Sequence, residues 1–170
     1  MGLPGFDRNR PLVLAPLEDI TDGPFRRLAR RFGADLVYTE FVSADGLAHE
    51  APGCRRKLVL TPEERPVAVQ IVGCRVDAVV AAARRAAEAG ADCVDLNFGC
   101  PARKVAGKGS GAGLLRAPDL LERLARETVA ALACPVTAKV RLGWDEASVN
   151  VLEIARRLED AGVRAIAVHA

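Results

Sequence analysis

Residues 89–101 have the sequence Ala-Gly-Ala-Asp-Cys-Val-Asp-Leu-Asn-Phe-Gly-Cys-Pro, and they contain a pattern that the rest of the chain repeats. Gly90 follows an alanine-rich helical run, and glycine is the residue best suited to the left-handed conformation at a helix C-terminus. The apolar-rich stretch after it predicts a buried strand. The same order of helix, glycine and strand surrounds Gly33 and Gly162. The chain is therefore predicted to contain repeated βα units.

Extending this pattern to both termini predicts six strands and four long helices. The strands are predicted at residues 12–16, 35–41, 67–72, 92–97, 136–141 and 164–169, and the helices at 24–32, 76–89, 118–132 and 146–161. Strands that alternate with helices, without hairpin turns, predict a parallel α/β sheet that is either doubly wound or a barrel. An eight-unit barrel takes about 250 residues. Because the chain also stops inside an apolar strand, at residues 168–170, we expect it to be a fragment.

Composition narrows the class of protein. The 170 residues are 50% hydrophobic and 27% charged, which is enough to bury a core and too apolar for a disordered chain. The net charge of +2 is too small to indicate a nucleic-acid or membrane surface by itself. No apolar run approaches the roughly 20 residues that cross a bilayer, and no secretory signal is recognisable. Five cysteines without a C-x-x-C pair argue against a disulfide framework or a metal site, so we expect reduced thiols and a cytoplasmic location.

Polar residues on one face of the strand at 92–97 indicate a functional site. Cys93, Asp95 and Asn97 share that face, and polar groups inside a buried strand are costly unless they are satisfied. Cys100 follows the strand, at the end of a parallel strand where barrels keep their chemistry. A buried structural thiol is the alternative at this position. The glycine-rich loop at 107–113 lacks both the P-loop spacing and the dinucleotide fingerprint.

A second polar cluster lies on the strand at 136–141. Thr137, Lys139 and Arg141 point to one face, and cations there need an anion or strong acceptors. An ion pair with Asp95 on the neighbouring strand is the alternative. Gln70 and His169 are further polar residues on strands. Each of them, taken alone, would be read as a core residue whose polar atoms are hydrogen-bonded within the protein. The carboxylate of Glu40 is a further candidate, but it lacks the spacing to a second carboxylate that a hydrolase site needs. Basic clusters lie at 26–31, 55–57 and 103–108, and they are either solvated surface or contacts to phosphate groups.

Taken together, these stretches resemble the tRNA-dihydrouridine synthases over nearly the whole chain and in the same order. The most specific match is the run from Asp95 to Pro101 followed by Lys104 and the residues 108–115. The other matching stretches are residues 14–17, 21–26, 38–41, 69–71, 139–144 and 168–169. Leu17 departs from the family, which usually has methionine there.

The resemblance implies the fold and the chemistry. The fold would be a (β/α)8 TIM barrel, here truncated after about six strands, with the last barrel units and a helical tRNA-binding domain absent. FMN would lie at the barrel mouth, NADPH would reduce it, and a uridine flipped out of tRNA would receive hydride at C6 and a proton at C5. By resemblance the site residues are Cys100 as proton donor, Ala15, Pro16, Leu17, Gln70, Lys139 and His169 for the flavin, and Asn97, Arg141 and Lys104 for the substrate. Without the missing units, which carry the phosphate site in this family, the fragment alone would be inactive.

Two other functions are compatible with parts of the pattern. One is a dihydroorotate dehydrogenase-like flavin enzyme acting on a free pyrimidine, which would share the Lys and Asn at strand ends. The other is a non-catalytic partial barrel that binds RNA, which would leave Gln70, Asn97, Cys100 and Lys139 without a common role.

Overall fold

All the strands of the sheet are parallel to their neighbours. The computed structural model describes residues 2–6 and 9–170. These form one sheet in the order β1-β2-β4-β5-β6-β7, and a short β3 pairs with β4 beyond the end of β2. The strands are β1 (Val13–Leu14), β2 (Leu36–Tyr38), β3 (Val42–Ser43), β4 (Val67–Val72), β5 (Cys93–Phe98), β6 (Val136–Arg141) and β7 (Ala165–His169).

Helices connect consecutive strands. They are α1 (Gly23–Arg31), α2 (Ala44–Ala48), α3 (Pro52–Arg56), α4 (Val76–Glu88), α5 (Arg103–Ala106), α6 (Pro118–Ala131) and α7 (Val151–Asp160), with 3-10 turns at Pro62–Glu64, Gly111–Arg116 and Glu146–Ser148. Within the described part of the chain, no helix is long and apolar enough to cross a membrane.

The predicted helix ends are confirmed. Gly33, Gly90 and Gly162 adopt φ values of +92°, +94° and +90°, the left-handed conformation that ends a helix before the next strand. At the start of α1, the side chain of Asp22 accepts a hydrogen bond from the Phe25 amide at 3.0 Å. The βα repeat is therefore present in the backbone.

The sheet is curled, and its two faces have different partners. Val94, Leu96 and Phe98 face outward into the main core, where they are buried with the alanine and leucine faces of α4 and α6. On the concave face, Tyr38 of β2 comes within 3.4 Å of Thr137 on β6, although β4 and β5 lie between them in the sheet. A flat sheet would keep these side chains far apart, since neighbouring strands are about 4.8 Å apart. The sheet is thus an incomplete barrel.

One predicted helix starts later than expected. The prediction of a helix at 146–161 is wrong for its first turn, because Gly143 and Val149 form an antiparallel bridge that holds this segment as a loop. Asp145 caps the 3-10 turn at Glu146–Ser148. The helix then begins at Val151, whose amide donates to Leu142 O at 3.0 Å.

One member of the basic cluster at 26–31 belongs to the interior. Arg26 is only 3% exposed and pairs with the carboxylate of Glu64, which is fully buried. Its Nη1 also donates to Thr21 O at 2.7 Å, and Glu64 Oε1 accepts the Thr61 amide at 2.7 Å. The pair ties α1 to the turn before β4, so the expectation of a solvated or phosphate-binding side chain is wrong for Arg26.

Candidate active site

A cleft opens where the carboxyl ends of β4, β5 and β6 meet. Its volume is about 210 Å³. The lining residues are Pro16, Leu17, Glu18, Phe41, Gln70, Asn97, Gly99, Cys100, Pro101, Lys139, Arg141 and His169. The site therefore lies at the end of the barrel where parallel strands and their following loops place functional groups.

Strand register brings the polar side chains into rows on the concave face. Gln70, Asp95 and Thr137 are partners across β4, β5 and β6. One step further along, Asn97 is beside Lys139. At the end of β6, Arg141 is the partner of His169 on β7. The residues thus meet because they alternate with apolar residues on adjacent parallel strands.

The row of side chains below the cleft forms a continuous chain of hydrogen bonds. Thr137 Oγ1 donates to Asp95 Oδ1 at 2.6 Å, and Gln70 Nε2 donates to Asp95 Oδ2 at 2.7 Å. Asn97 Nδ2 donates to Gln70 Oε1 at 2.8 Å. Asn97 Oδ1 in turn accepts the amides of Gly99 at 3.1 Å and Cys100 at 2.9 Å. The network satisfies the polar groups that the sequence placed inside a buried strand.

Burial controls the ionisation of the groups in this network. Asp95 is 1% exposed, and loss of hydration raises the pKa of its carboxyl to about 6, against the opposing effect of its hydrogen bonds from Thr137 and Gln70. Burial also raises the pKa of Tyr38, with the Asp95 carboxylate as a second cause. The same two causes raise the pKa of the Cys93 thiol.

The two cations predicted on β6 do not pair with Asp95. Arg141 Nε donates to Gly99 O at 2.9 Å, and no carboxylate of the described chain lies within 4.0 Å of either cation. Burial lowers the pKa of Lys139, and the more distant carboxylate of Asp95 opposes this effect. No described group accepts a hydrogen bond from its ammonium. The alternative of a direct ion pair is therefore wrong. A half-buried cation without a hydrogen-bond partner favours an anionic or acceptor-rich ligand in the cleft.

Cys100 is held through its backbone on both sides. Its amide donates to Asn97, and its carbonyl accepts the Ala112 amide at 3.0 Å. Gly111 lies beside it with φ +55°, and a Cβ added there would lie 2.7 Å from Cys100 O. The glycine-rich loop therefore packs against the cysteine backbone in a way that a larger residue would prevent.

Eight of the ten predicted site residues line this cleft, and two do not. Ala15 lines an adjoining cavity of about 210 Å³ between β1 and β7, which shares Pro16 and Lys139 with the cleft. Lys104 is exposed on α5 and lines a different cleft of about 440 Å³. Glu18 and Phe41 line both clefts, so the two clefts adjoin.

Other residues have contacts at the site that the sequence did not predict. Thr137 was assigned to the polar face, but its hydrogen bond to Asp95 and the contact with Tyr38 depend on the curl of the sheet. Glu18 borders the cleft and accepts from Lys57 Nζ at 2.6 Å. Glu18, Asp19 and Glu40 bring carboxylate oxygens within 4.8 Å of one another, and the Lys57 ammonium lies 3.6 Å from Glu40 Oε1. Lys57 thus pairs with two of the three carboxylates, those of Glu18 and Glu40.

Sequence comparisons agree on one family. The family model described as "Dihydrouridine synthase (Dus)" matches residues 13–170. The chain is 42% identical to "Probable tRNA-dihydrouridine synthase 1" of Synechocystis over 93% of this chain and 44% of that protein. It is 46% identical to "Probable tRNA-dihydrouridine synthase" of Rhizobium leguminosarum over 95% of this chain and 50% of the relative. The chain spans about half the length of the curated relatives it matches.

A solved structure supports the fold. The structure titled as a variant of NCR from Zymomonas mobilis superimposes with a TM-score of 0.68 and covers 99% of this chain and 67% of its own. At 14% identity this likeness concerns the fold alone. Together with the curled parallel sheet, it confirms the predicted truncated α/β barrel.

Proposed function

The chain belongs to the dihydrouridine synthase family, and from this membership we propose that the protein reduces uridine in tRNA to dihydrouridine. The observation that carries the proposal is the cleft itself. It gathers one thiol, two amides and three basic side chains at the carboxyl ends of adjacent strands, where a planar ring with several acceptors can be held. The reaction saturates the C5–C6 bond of uracil, so it needs one hydride and one proton.

The residues of the cleft fit the flavin that the family implies. Lys139 has a half-buried ammonium without a hydrogen-bond partner, and Gln70 and His169 add polar groups at the same rim. Pro16 and Leu17 add an apolar wall, on which a flat ring can pack. We propose that Lys139, Gln70, His169 and the Ala15–Leu17 stretch hold FMN. When bound, FMN supplies the hydride for uracil C6, and a positive charge close to the ring favours its reduced form.

We assign Cys100 as the proton donor to uracil C5. It lies in the same cleft as Lys139, and its backbone is fixed by Asn97 and Ala112. A general acid contributes only if it is held within hydrogen-bond reach of the atom it protonates. These two backbone contacts supply such positioning.

The remaining polar groups are proposed to bind the substrate. Asn97 and Arg141 line the cleft, and Arg141 keeps nitrogen donors beyond the one used for Gly99. Lys104 is exposed and lines the adjoining cleft, so we propose that it contacts the RNA backbone outside the pocket and does not touch the uracil. The flipped uridine would enter from this side.

The test is a cysteine substitution in the longer protein that contains this chain. Cys100→Ala should lower uridine reduction in tRNA by at least about 100-fold, which is the contribution expected of a general acid, and should leave the flavin absorbance of the purified enzyme intact. Cys134→Ala is the matched control, because Cys134 lies beside Pro135 at the opposite end of β6 and should keep normal turnover.

The same preparations separate the rival functions. Turnover of dihydroorotate without any reduction of tRNA would support an enzyme of free pyrimidines. Binding of tRNA without flavin and without reduction would support an RNA-binding module. Unchanged tRNA reduction by Cys100→Ala would contradict the acid role.

We further propose NADPH as the reductant and the cytoplasm, where tRNA is modified, as the place of action. The rate of flavin bleaching on mixing with NADPH or NADH tests the first point. Equal rates with the two nucleotides would contradict a preference for NADPH.

A further inference from the structure

The buried carboxylate of Asp95 has no role in the chemistry proposed above, and yet it occupies one end of the hydrogen-bond chain that reaches Cys100. It accepts from Gln70 Nε2 and Thr137 Oγ1, and it does not reach the cleft, whose lining it does not share. An ionised carboxylate has only acceptors. Whatever faces Asp95 must therefore be a donor.

The need for a donor opposite Asp95 also fixes the direction of every later hydrogen bond in the series. Because Gln70 must turn its NH2 group to Asp95, its Oε1 is left to face Asn97. Asn97 must then turn its own NH2 group to Gln70, which leaves Oδ1 for the amides of Gly99 and Cys100. If Asp95 Oδ2, the oxygen that faces Gln70, carried a proton and donated it, both amide side chains would reverse. Two N–H groups of the loop would then face the NH2 group of Asn97, donor against donor.

We propose that Asp95 is a positioning residue whose carboxylate fixes the direction of this hydrogen-bond chain and so holds the Gly99 and Cys100 amides at the cleft. Thr137 keeps the carboxylate in place by donating to its other oxygen. Any effect on catalysis rests on the proposed function, whereas the direction of the chain does not.

The proposal makes the Cys100 loop sensitive to protonation of Asp95 at Oδ2, the oxygen that faces Gln70, since Thr137 donates to Oδ1. The titratable groups facing Asp95 are Tyr38 from β2, Cys93 from its own strand and Lys139 from β6. Tyr38 and Cys93 have raised pKa values and stay neutral near pH 6. Burial lowers the pKa of Lys139, and Arg141, Glu18 and His169 line the cleft above. Of these groups, Asp95 is the one joined to the Cys100 amide by continuous hydrogen bonds.

Amide hydrogen exchange in the 170-residue chain tests the direction of the hydrogen-bond chain without flavin or tRNA. After correction for the intrinsic pH dependence of exchange, the Gly99 and Cys100 amides should exchange at least about tenfold faster below pH 6 than at pH 8. The Val94 amide, which donates to Pro135 O at 3.0 Å, serves as the control for global opening and should show no such step.

Two variants assign the step to Asp95. In Asp95→Asn the side chain carries a donor and an acceptor, so both directions of the chain become available, and the two loop amides should exchange fast at every pH. In Thr137→Val the carboxylate loses a donor that favours its charged form, so the step should move to higher pH. Thr137→Val does not touch Gln70 or Asn97, and it decides the question even if Asp95→Asn does not fold.

Three results would overturn the proposal. The first is a wild type without a pH step at Cys100. The second is a step that survives in Asp95→Asn, which would assign it to another group. The third is a midpoint that Thr137→Val leaves unmoved. Failure of the proposed function is a separate result. If the exchange data hold while Cys100→Ala retains full turnover, Asp95 positions the loop and Cys100 is not the acid.

Discussion

Replacing Glu64 by glutamine should destabilise the chain strongly, because it leaves the buried guanidinium of Arg26 without a counter-charge. Glu64 is fully buried and Arg26 is 3% exposed, so water cannot replace the lost partner. A glutamine has one acceptor oxygen where the carboxylate uses two, one for Arg26 and one for the Thr61 amide. One of these donors would therefore face an NH2 group.

The size of the effect follows from the burial. Breaking a buried ion pair by removing one partner costs about 3–5 kcal/mol. Glutamine keeps part of the hydrogen bonding, so we expect a loss of about 3 kcal/mol. For a chain of this length that lowers Tm by about 6–12 °C. With a urea m-value of about 2 kcal/mol/M, it lowers the unfolding midpoint by about 1.5 M.

The assay is urea unfolding at 25 °C followed by circular dichroism, with Glu63→Gln as the matched control. Glu63 is the preceding residue in the same 3-10 turn but is exposed, so the same loss of charge should change the free energy of unfolding by less than about 0.5 kcal/mol. A loss in Glu64→Gln within 1 kcal/mol of that in Glu63→Gln would refute the idea that the buried pair holds α1 to the turn.

Three further outcomes are expected. Because burial raises the folded-state pKa of Asp95 to about 6 from 3.8, the stability that its protonated form contributes is present below pH 4 and is lost as pH rises through 6. Urea unfolding measures the free energy of unfolding of wild type and of Asp95→Asn from pH 4 to 7. The difference, wild type minus variant, should fall by up to about 3 kcal/mol as the pH rises. A constant difference would contradict the raised pKa of Asp95. Gly111→Ala should lower the free energy of unfolding by at least about 1 kcal/mol more than Gly109→Ala. Both glycines have positive φ, but only at Gly111 would the added Cβ meet Cys100 O. Equal losses on urea unfolding would argue against this contact. Lys139→Met in the longer protein should weaken flavin retention at least about tenfold, measured by flavin fluorescence on dilution, whereas Lys108→Met, in the neighbouring cleft, should retain it normally.

Much of the architecture follows from two local patterns, the alternation of residue types along the strands and the glycines that follow the helices. The predicted bounds of β4 and β6 match those of the structure, and the assignment of Asp95 and Asn97 to one face of β5 is confirmed by their position opposite the main core. These features are local, because period-2 alternation and a left-handed residue after a helix need no distant partner.

Other features depend on partners far along the chain. Arg26 lies in a basic run that is typical of a surface, and only Glu64, 38 residues away, accounts for its burial. The contact of Tyr38 with Thr137 spans 99 residues and is set by the curl of the sheet. Short elements such as α2 and α3, of five residues each, are too brief to give a periodic pattern.

The site shows the same division between features predicted from local sequence and features that depend on distant parts of the chain. Six of the eight predicted side chains in the cleft are also singled out by residue type at the strand ends: Gln70, Asn97, Cys100, Lys139, Arg141 and His169. Pro16 and Leu17 were predicted only from the family resemblance. So was Lys104, which lies on α5 and lines the adjoining cleft.

The one-way hydrogen-bond chain from Asp95 to the Cys100 loop also constrains how the family can diverge. A substitution at Asp95, Gln70 or Asn97 that exchanges donor for acceptor leaves the other two facing the wrong way. Such a change would be tolerated only together with a compensating change in a neighbour. These three positions, on two strands and 25 to 27 residues apart in their pairings, should therefore be inherited as a unit among relatives that keep the cysteine loop.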